Sequence, residues 1–339
     1  MNDEMAMMAV LERSEKRRNE RRNFLHVAGA ATIAAGGVSL LSACGGGGGN
    51  NDDRPVAPPT DSVPTPPPAT GASTDAAILN FALNLEYLEA QFYYFAAFGE
   101  GLPLSILGGT GTQGGVTGGR RVNFTDPVVR QYAIEIAQDE RAHVEFLRTA
   151  LGSAAVAQPP LDIGTDPNGA FSSAARAAGL IGAGQSFDPY SSDENFLLGA
   201  FIFEDVGVTA YKGASPLLTS KVFLEAAAGI LAAEAYHAGL IRTTLFRKGV
   251  QQLPALIDAT EKISTARDSL DGNTDLDQGI RPIGEASNIV PSDANGLAFS
   301  RTAQQVLNIV FLTPFATQQG GFFPRGVNGS INMSSPSGG

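Results

Sequence analysis

Two segments, Gln138-Asp139-Glu140-Arg141-Ala142-His143 and Ala233-Glu234-Ala235-Tyr236-His237, each set Glu-x-x-His inside a long run with helical periodicity. Residues three apart lie on one face of a helix, so each segment aims a carboxylate and an imidazole the same way. The chain has three histidines. His26 falls in a stretch that reads as a removable leader, which leaves only the two in this motif. By average composition a histidine has Glu three positions earlier roughly one time in twenty. Two out of two is not chance.

Around these segments the spacing predicts four long helices. The first runs from about Thr74 to Phe98, with Asp75 able to cap it and Gly99 able to end it. Leu79, Leu83, Glu86, Ala90, Tyr93 and Ala97 form one stripe, and Phe81, Leu85, Leu88, Phe92 and Phe95 a second apolar face. A carboxylate on so buried a helix is costly unless something positive meets it, which singles out Glu86; the alternative is a rim residue facing water. Glu89, one turn on, is the weaker candidate. The second helix opens at Thr125-Asp126-Pro127, a capping residue before a first-turn proline, and runs to Leu151 with Gly152 as its stop. On it Ile136, Glu140, His143 and Leu147 share a face, while Glu135, Asp139 and Arg141 lie elsewhere.

Ser191-Ser192-Asp193-Glu194 reads as a capping box opening the third helix, which carries Glu204 on its buried side and ends near Gly213. The fourth spans about Ser220 to Lys248, stops at Gly249, and aligns Ile230, Glu234, His237 and Ile241. Residues 99–123 are Gly/Thr-rich with no role assigned. Residues 153–190 lack sustained periodicity and are long enough to cross a bundle from end to end.

The two halves match. Glu86 is followed seven residues on by Tyr93, and Glu204 by Tyr211. Glu140-x-x-His143 leads into Phe146-Leu147-Arg148-Thr149, and Glu234-x-x-His237 into Leu240-Ile241-Arg242-Thr243. This is an internal repeat of helix pairs.

A glutamate from each of two helices plus Glu-x-x-His from each of two others resembles the dimetal-carboxylate site of the ferritin-like four-helix bundle. The resemblance covers roughly residues 74–249, fills all six ligand positions and accounts for the long crossover. It implies an all-α fold: a ferritin-like bundle with one long crossover, followed by a helical and loop extension over 250–339. It also implies that Glu140 and Glu234 bridge two metals, that Glu86 and Glu204 are terminal ligands, and that His143 and His237 bind one metal each. Tyr93 and Tyr211 then become candidate donors to ligand carboxylates, against the alternative of ordinary core tyrosines. Arg148 and Arg242 read as helix-end or interhelix ion pairs. Within the superfamily the chain is similar to bacterial ferritin-like proteins related to plant desiccation-associated proteins. Ala298-Phe299-Ser300-Arg301-Thr302 through Gln305-Val306-Leu307, and Gly320-Gly321-Phe322-Phe323-Pro324, share in that similarity.

Four carboxylates and two imidazoles in one bundle interior are prohibitive as bare charge. Two divalent cations balance them, with both histidines neutral. Mixed oxygen and imidazole ligation suits iron or manganese, and no thiolate is available to favour zinc.

The ends of the chain carry other signals. Arg21-Arg22-Asn23-Phe24-Leu25, followed by an Ala/Gly-rich apolar stretch from Val27 to Leu41, resembles a twin-arginine export signal over residues 1–43. That apolar stretch is too short to span a bilayer. Leu41-Ser42-Ala43-Cys44 resembles a lipobox, which makes Cys44, the one cysteine in the chain, the lipidation site; a generic secretory leader with an incidental cysteine is the alternative. Residues 44–73, opening with the glycine run Gly45 to Gly49 and then rich in proline, read as a tether. Residues 250–339 hold one helix from about Leu253 to Leu270 and another around Ser292 to Leu312, with Phe311, Phe315, Phe322 and Phe323 expected to pack back on the bundle. The net charge of -11 argues against nucleic acid as a partner.

The partners expected are therefore metal ions and, through Cys44, a membrane, with a homo-oligomer left open; the location expected is the periplasm or cell envelope. Two functions stand side by side. One is a dimetal oxidoreductase acting on peroxide, dioxygen or Fe(II), in the manner of ferroxidases, rubrerythrins or manganese catalases. The other is a non-catalytic, metal-binding stress protein of the desiccation type.

Overall fold

The computed structural model describes residues 74–337. The expected leader over 1–43, Cys44 and the tether over 44–73 lie outside the described residues. Four long helices form the centre: α1 (Thr74–Phe98), α2 (Pro127–Leu151), α4 (Asp193–Ala214) and α5 (Lys221–Gln251), with the short α3 (Ala170–Ala177) in the crossover. Two further helices follow, α6 (Ala255–Asp271) and α7 (Ala303–Val310). The only strands among the described residues are β1 (Val116–Gly118) and β2 (Leu161–Ile163), paired in parallel with Val116 opposite Leu161. The architecture is all-α and ferritin-like. No described helix is long and apolar enough to cross a membrane.

α1 and α4 are buried nearly all round, as expected of helices with apolar residues on every face. α2 and α5 keep one face in water. Each helix hairpin therefore contributes one inner and one outer helix, which fits the sequence repeat. What covers the inner helices comes from the loops. The β1–β2 pair ties the α1–α2 connection to the crossover, and Asp162 N donates to Phe322 O at 3.0 Å. Phe322 then packs against Phe171 and Phe203 at centroid distances of 5.1 and 4.9 Å.

The repeat is also a set of reciprocal contacts. Asp75, at the start of α1, accepts from Thr219 N and Ser220 N, both at 2.9 Å, where the chain turns into α5. Asp193, at the start of α4, accepts from Thr125 N at 3.1 Å and Asp126 N at 2.9 Å, where it turns into α2. Each inner helix thus holds the N-terminus of the outer helix of the other hairpin. The sequence had suggested that Asp75 caps its own helix; its carboxylate is used across the bundle instead, because both of its oxygens face Thr219 and Ser220.

Several local expectations need correction. The third long helix is capped by Ser192, which accepts from Asn195 N, rather than by a box from Ser191 to Glu194; Glu194 instead pairs with Lys248 at 2.9 Å. α5 does not stop at Gly249. A Cβ there would come within 2.7 Å of Ile257 Cγ1, so this glycine lets α6 approach rather than ending α5. α7 is shorter than expected and begins at a Thr302–Gln305 capping box, with 292–302 non-helical. Phe311, Phe322 and Phe323 are buried, but Phe315 is 72% exposed.

The extension is locked to the bundle by a buried ionic network. Arg242 on α5 pairs with Asp205 on α4 at 2.8 Å and donates to the carbonyls of Gln278, Gly279, Asn288 and Ile289. Arg267 on α6 joins Asp205 to Asp277, and Arg301 joins Asp277 to Asp271. Three guanidiniums meet three carboxylates, so the network is neutral as a whole.

Candidate metal centre

At mid-height the four long helices bring seven ionisable side chains into three overlapping groups: Glu86 and Glu89 from α1, Glu140 and His143 from α2, Glu204 from α4, and Glu234 and His237 from α5. The i, i+3 spacing on α2 and α5 delivers a carboxylate and an imidazole from each. His143 Nδ1 stands 3.2 Å from Glu86 Oε2 and 3.6 Å from both Glu140 Oε2 and Glu234 Oε1. His237 Nδ1 stands 3.0 Å from Glu140 Oε1 and 3.7 Å from Glu204 Oε2. The imidazole centroids are 6.1 Å apart, with Glu140 presenting one oxygen to each. The structure brings together all six ligand positions named from the sequence.

The tyrosines cross over. Tyr93 on α1 donates its hydroxyl to Glu204 on α4, and Tyr211 on α4 donates to Glu86 on α1. Each occupies one oxygen of a glutamate and leaves the other facing inward.

Buried polar atoms are normally hydrogen-bonded. Here both oxygens of Glu140 and of Glu234, Glu204 Oε2, Glu89 Oε2 and His237 Nδ1 have no hydrogen-bond partner. Converging lone pairs of this kind, on hard oxygen and imidazole donors, fit divalent cations. The protein's own charges do not resolve the crowding. Burial and neighbouring acids push Glu86 to about 7, while His143 opposes the rise. Burial takes Glu204 to about 8 against the pull of His237. Burial and the Glu140 charge raise Glu89 and Glu234 well above the carboxylate range. For Glu140 burial also opposes ionisation, but the two imidazoles outweigh it and hold the carboxyl below the usual range. Burial disfavours the His237 cation, yet Glu204, Asp139 and Glu140 prevail and raise it to about 10.

Two residues were not prominent in the sequence. Glu89 closes a third acidic group with Glu204 and Glu234, whose oxygens lie within 4.8 Å of one another. Asp139, read as pointing elsewhere, lies 3.4 Å from His237 Nε2. A neutral His237 with its proton on Nε2 donates to Asp139 and keeps Nδ1 as an inward lone pair. The repeat offers no counterpart, since Ala233 stands where Asp139 does in the other half. Arg148 donates to Tyr87 OH at 2.5 Å, in the place where Arg242 meets Asp205. A cleft of about 560 Å³ opens between α2 and α5, lined by Tyr132, Asp139, Tyr236, Gly239 and Thr243, and reaches His237.

Such a four-helix arrangement, with paired Glu-x-x-His and two facing glutamates, defines a ferritin-like protein. The chain matches the ferritin-like domain over residues 74–247, and it belongs to that family. It is 29% identical over 276 residues to the desiccation-related protein PCC13-62 of Craterostigma plantagineum, covering 76% of this chain and 83% of that one. It is 27% identical over 272 residues to the ferritin-like catalase Nec2 of Nesocodon mauritianus, covering 76% and 84%.

Proposed function

We propose that the bundle holds a dinuclear iron or manganese centre and that the protein turns over peroxide, with dioxygen or Fe(II) as the related substrates. The observation that carries this reading is the convergence of Glu86, Glu140, His143, Glu204, Glu234 and His237, with inward atoms of Glu140, Glu204, Glu234 and His237 left unpartnered. Similarity to a protein named as a catalase supports peroxide as the substrate. A pair of redox ions, when bound, supplies two-electron chemistry on an O–O bond. The chain's own residues do the rest. Glu140 and Glu234 hold the centre from α2 and α5, and Tyr93 and Tyr211 fix the orientation of Glu204 and Glu86. Asp139 orients His237, and the cleft between α2 and α5 admits a molecule the size of peroxide.

The test is oxygen release from hydrogen peroxide by protein loaded with manganese or with iron. Steady oxygen evolution that disappears in Glu140→Ala is the expected result. A loaded but inert centre overturns the catalytic reading and leaves a second one, a non-catalytic metal-binding protein of stress protection. That reading is supported by similarity to a desiccation-related protein over the same share of the chain.

For location, our reading is export by the twin-arginine route and anchoring through lipid on Cys44, which places the centre in the periplasm or cell envelope. Incorporation of labelled fatty acid into the chain, and its loss in Cys44→Ser, is the expected outcome. Unlabelled protein would contradict it.

A further inference from the structure

The two halves of the bundle differ at one position that bears on the centre. Three residues beyond Glu86 on α1 is Glu89; three residues beyond Glu204 on α4 is Gly207. Glu89 is buried, its Oε2 has no hydrogen-bond partner, and no Lys, Arg or His pairs with it among the described residues. The wall beside it is apolar, made by Leu85, Leu88, Phe203, Val206 and Phe322. One of its oxygens lies within 4.8 Å of oxygens of Glu204 and Glu234. A third carboxylate in such a place is costly unless a cation meets it. Gly207 leaves room for the Glu234 carboxylate beside it: a Cβ there would stand 2.4 Å from Glu234 Oε2, and at 3.5 Å would only touch Glu89 Oε1.

We propose that Glu89 is a seventh protein donor to the metal pair, acting with Glu204 and Glu234 on one of the two ions, and that Gly207 leaves room for the Glu234 oxygen that joins it there. The centre is then unequal. Five carboxylates face two ions, with the additional negative charge on one side, which favours the more highly charged ion at that position. The proposal rests on the dimetal reading above.

The test is calorimetric titration of Mn²⁺ into the metal-free full chain, with electron paramagnetic resonance of the loaded protein as a second readout. Wild type is expected to take two ions. Glu89→Gln, which keeps the shape and removes the charge, is expected to weaken one of the two sites at least about tenfold, to leave the other within about twofold, and to alter the spectrum of the pair. Glu89→Asp, which keeps the charge but withdraws it by one methylene, is expected to do the same. Wild-type affinity at both sites in either folded Glu89 variant overturns the proposal while the dimetal reading stands. Wild type that binds no Mn²⁺ overturns both.

Discussion

Tyr211 on α4 donates its hydroxyl to Glu86 on α1, across the bundle from its own half of the repeat. The mirror contact runs from Tyr93 to Glu204. Each tyrosine is the partner of the other half's glutamate, so the two inner helices are joined through the carboxylates of Glu86 and Glu204 themselves. Removing either hydroxyl frees a buried carboxylate oxygen and loosens the aim of the other. Tyr211→Phe and Tyr93→Phe are therefore each expected to lower metal affinity about 10- to 100-fold without unfolding the protein. Titration of metal-free variants checks this, and affinity equal to wild type in both would contradict it.

The parts of the fold that could be read from the chain were those carried by spacing. Glu-x-x-His at 140 and 234, and the matched seven-residue steps from Glu86 to Tyr93 and from Glu204 to Tyr211, depend only on helical periodicity. α2 accordingly begins and ends where Asp126, Pro127 and Gly152 indicate, and α1 ends at Gly99. Glu89 was harder to recognise because the comparison of halves that picks out the six candidate ligands discards it: its counterpart is Gly207. Asp75 and Asp193 look like local caps, and only the packing of hairpins shows that they serve other helices. β1 and β2, three residues each in loops, have no alternation long enough to read. Gly249 looks like a stop because a helix-ending glycine and a glycine under a close helix crossing are the same letter.

Arg242 is buried between Asp205 and four backbone carbonyls of the C-terminal extension. Arg242→Ala leaves the carbonyls of Gln278, Asn288 and Ile289 without this donor and Asp205 with Arg267 alone, and breaking a buried pair from one side costs about 3–5 kcal/mol. Denaturant unfolding is expected to show a loss of that size. A loss under about 1 kcal/mol would mean that the extension is not held by this network.

The metal-free protein is expected to lose stability as pH rises. Glu86 at about 7 and Glu204 at about 8 lie above their ordinary 4.5, and His237 at about 10 lies above its ordinary 6.5. All three bind protons more tightly folded than unfolded. Their contribution is complete below the unfolded values and is lost as pH climbs through the folded ones. Thermal melts of metal-free protein from pH 5 to pH 9 should fall steadily. Saturating metal, which replaces those protons, should flatten the slope and bind more tightly at the alkaline end. A metal-free melt that rises over this range would contradict the charge arrangement described here.

Elemental analysis of protein purified after expression by its native export route tests the dimetal centre most directly. The expected content is two ions of iron or manganese per chain, with most of that lost in His143→Ala and in Glu234→Ala. A wild-type protein with less than one ion per chain, or variants that retain the full complement, would contradict it.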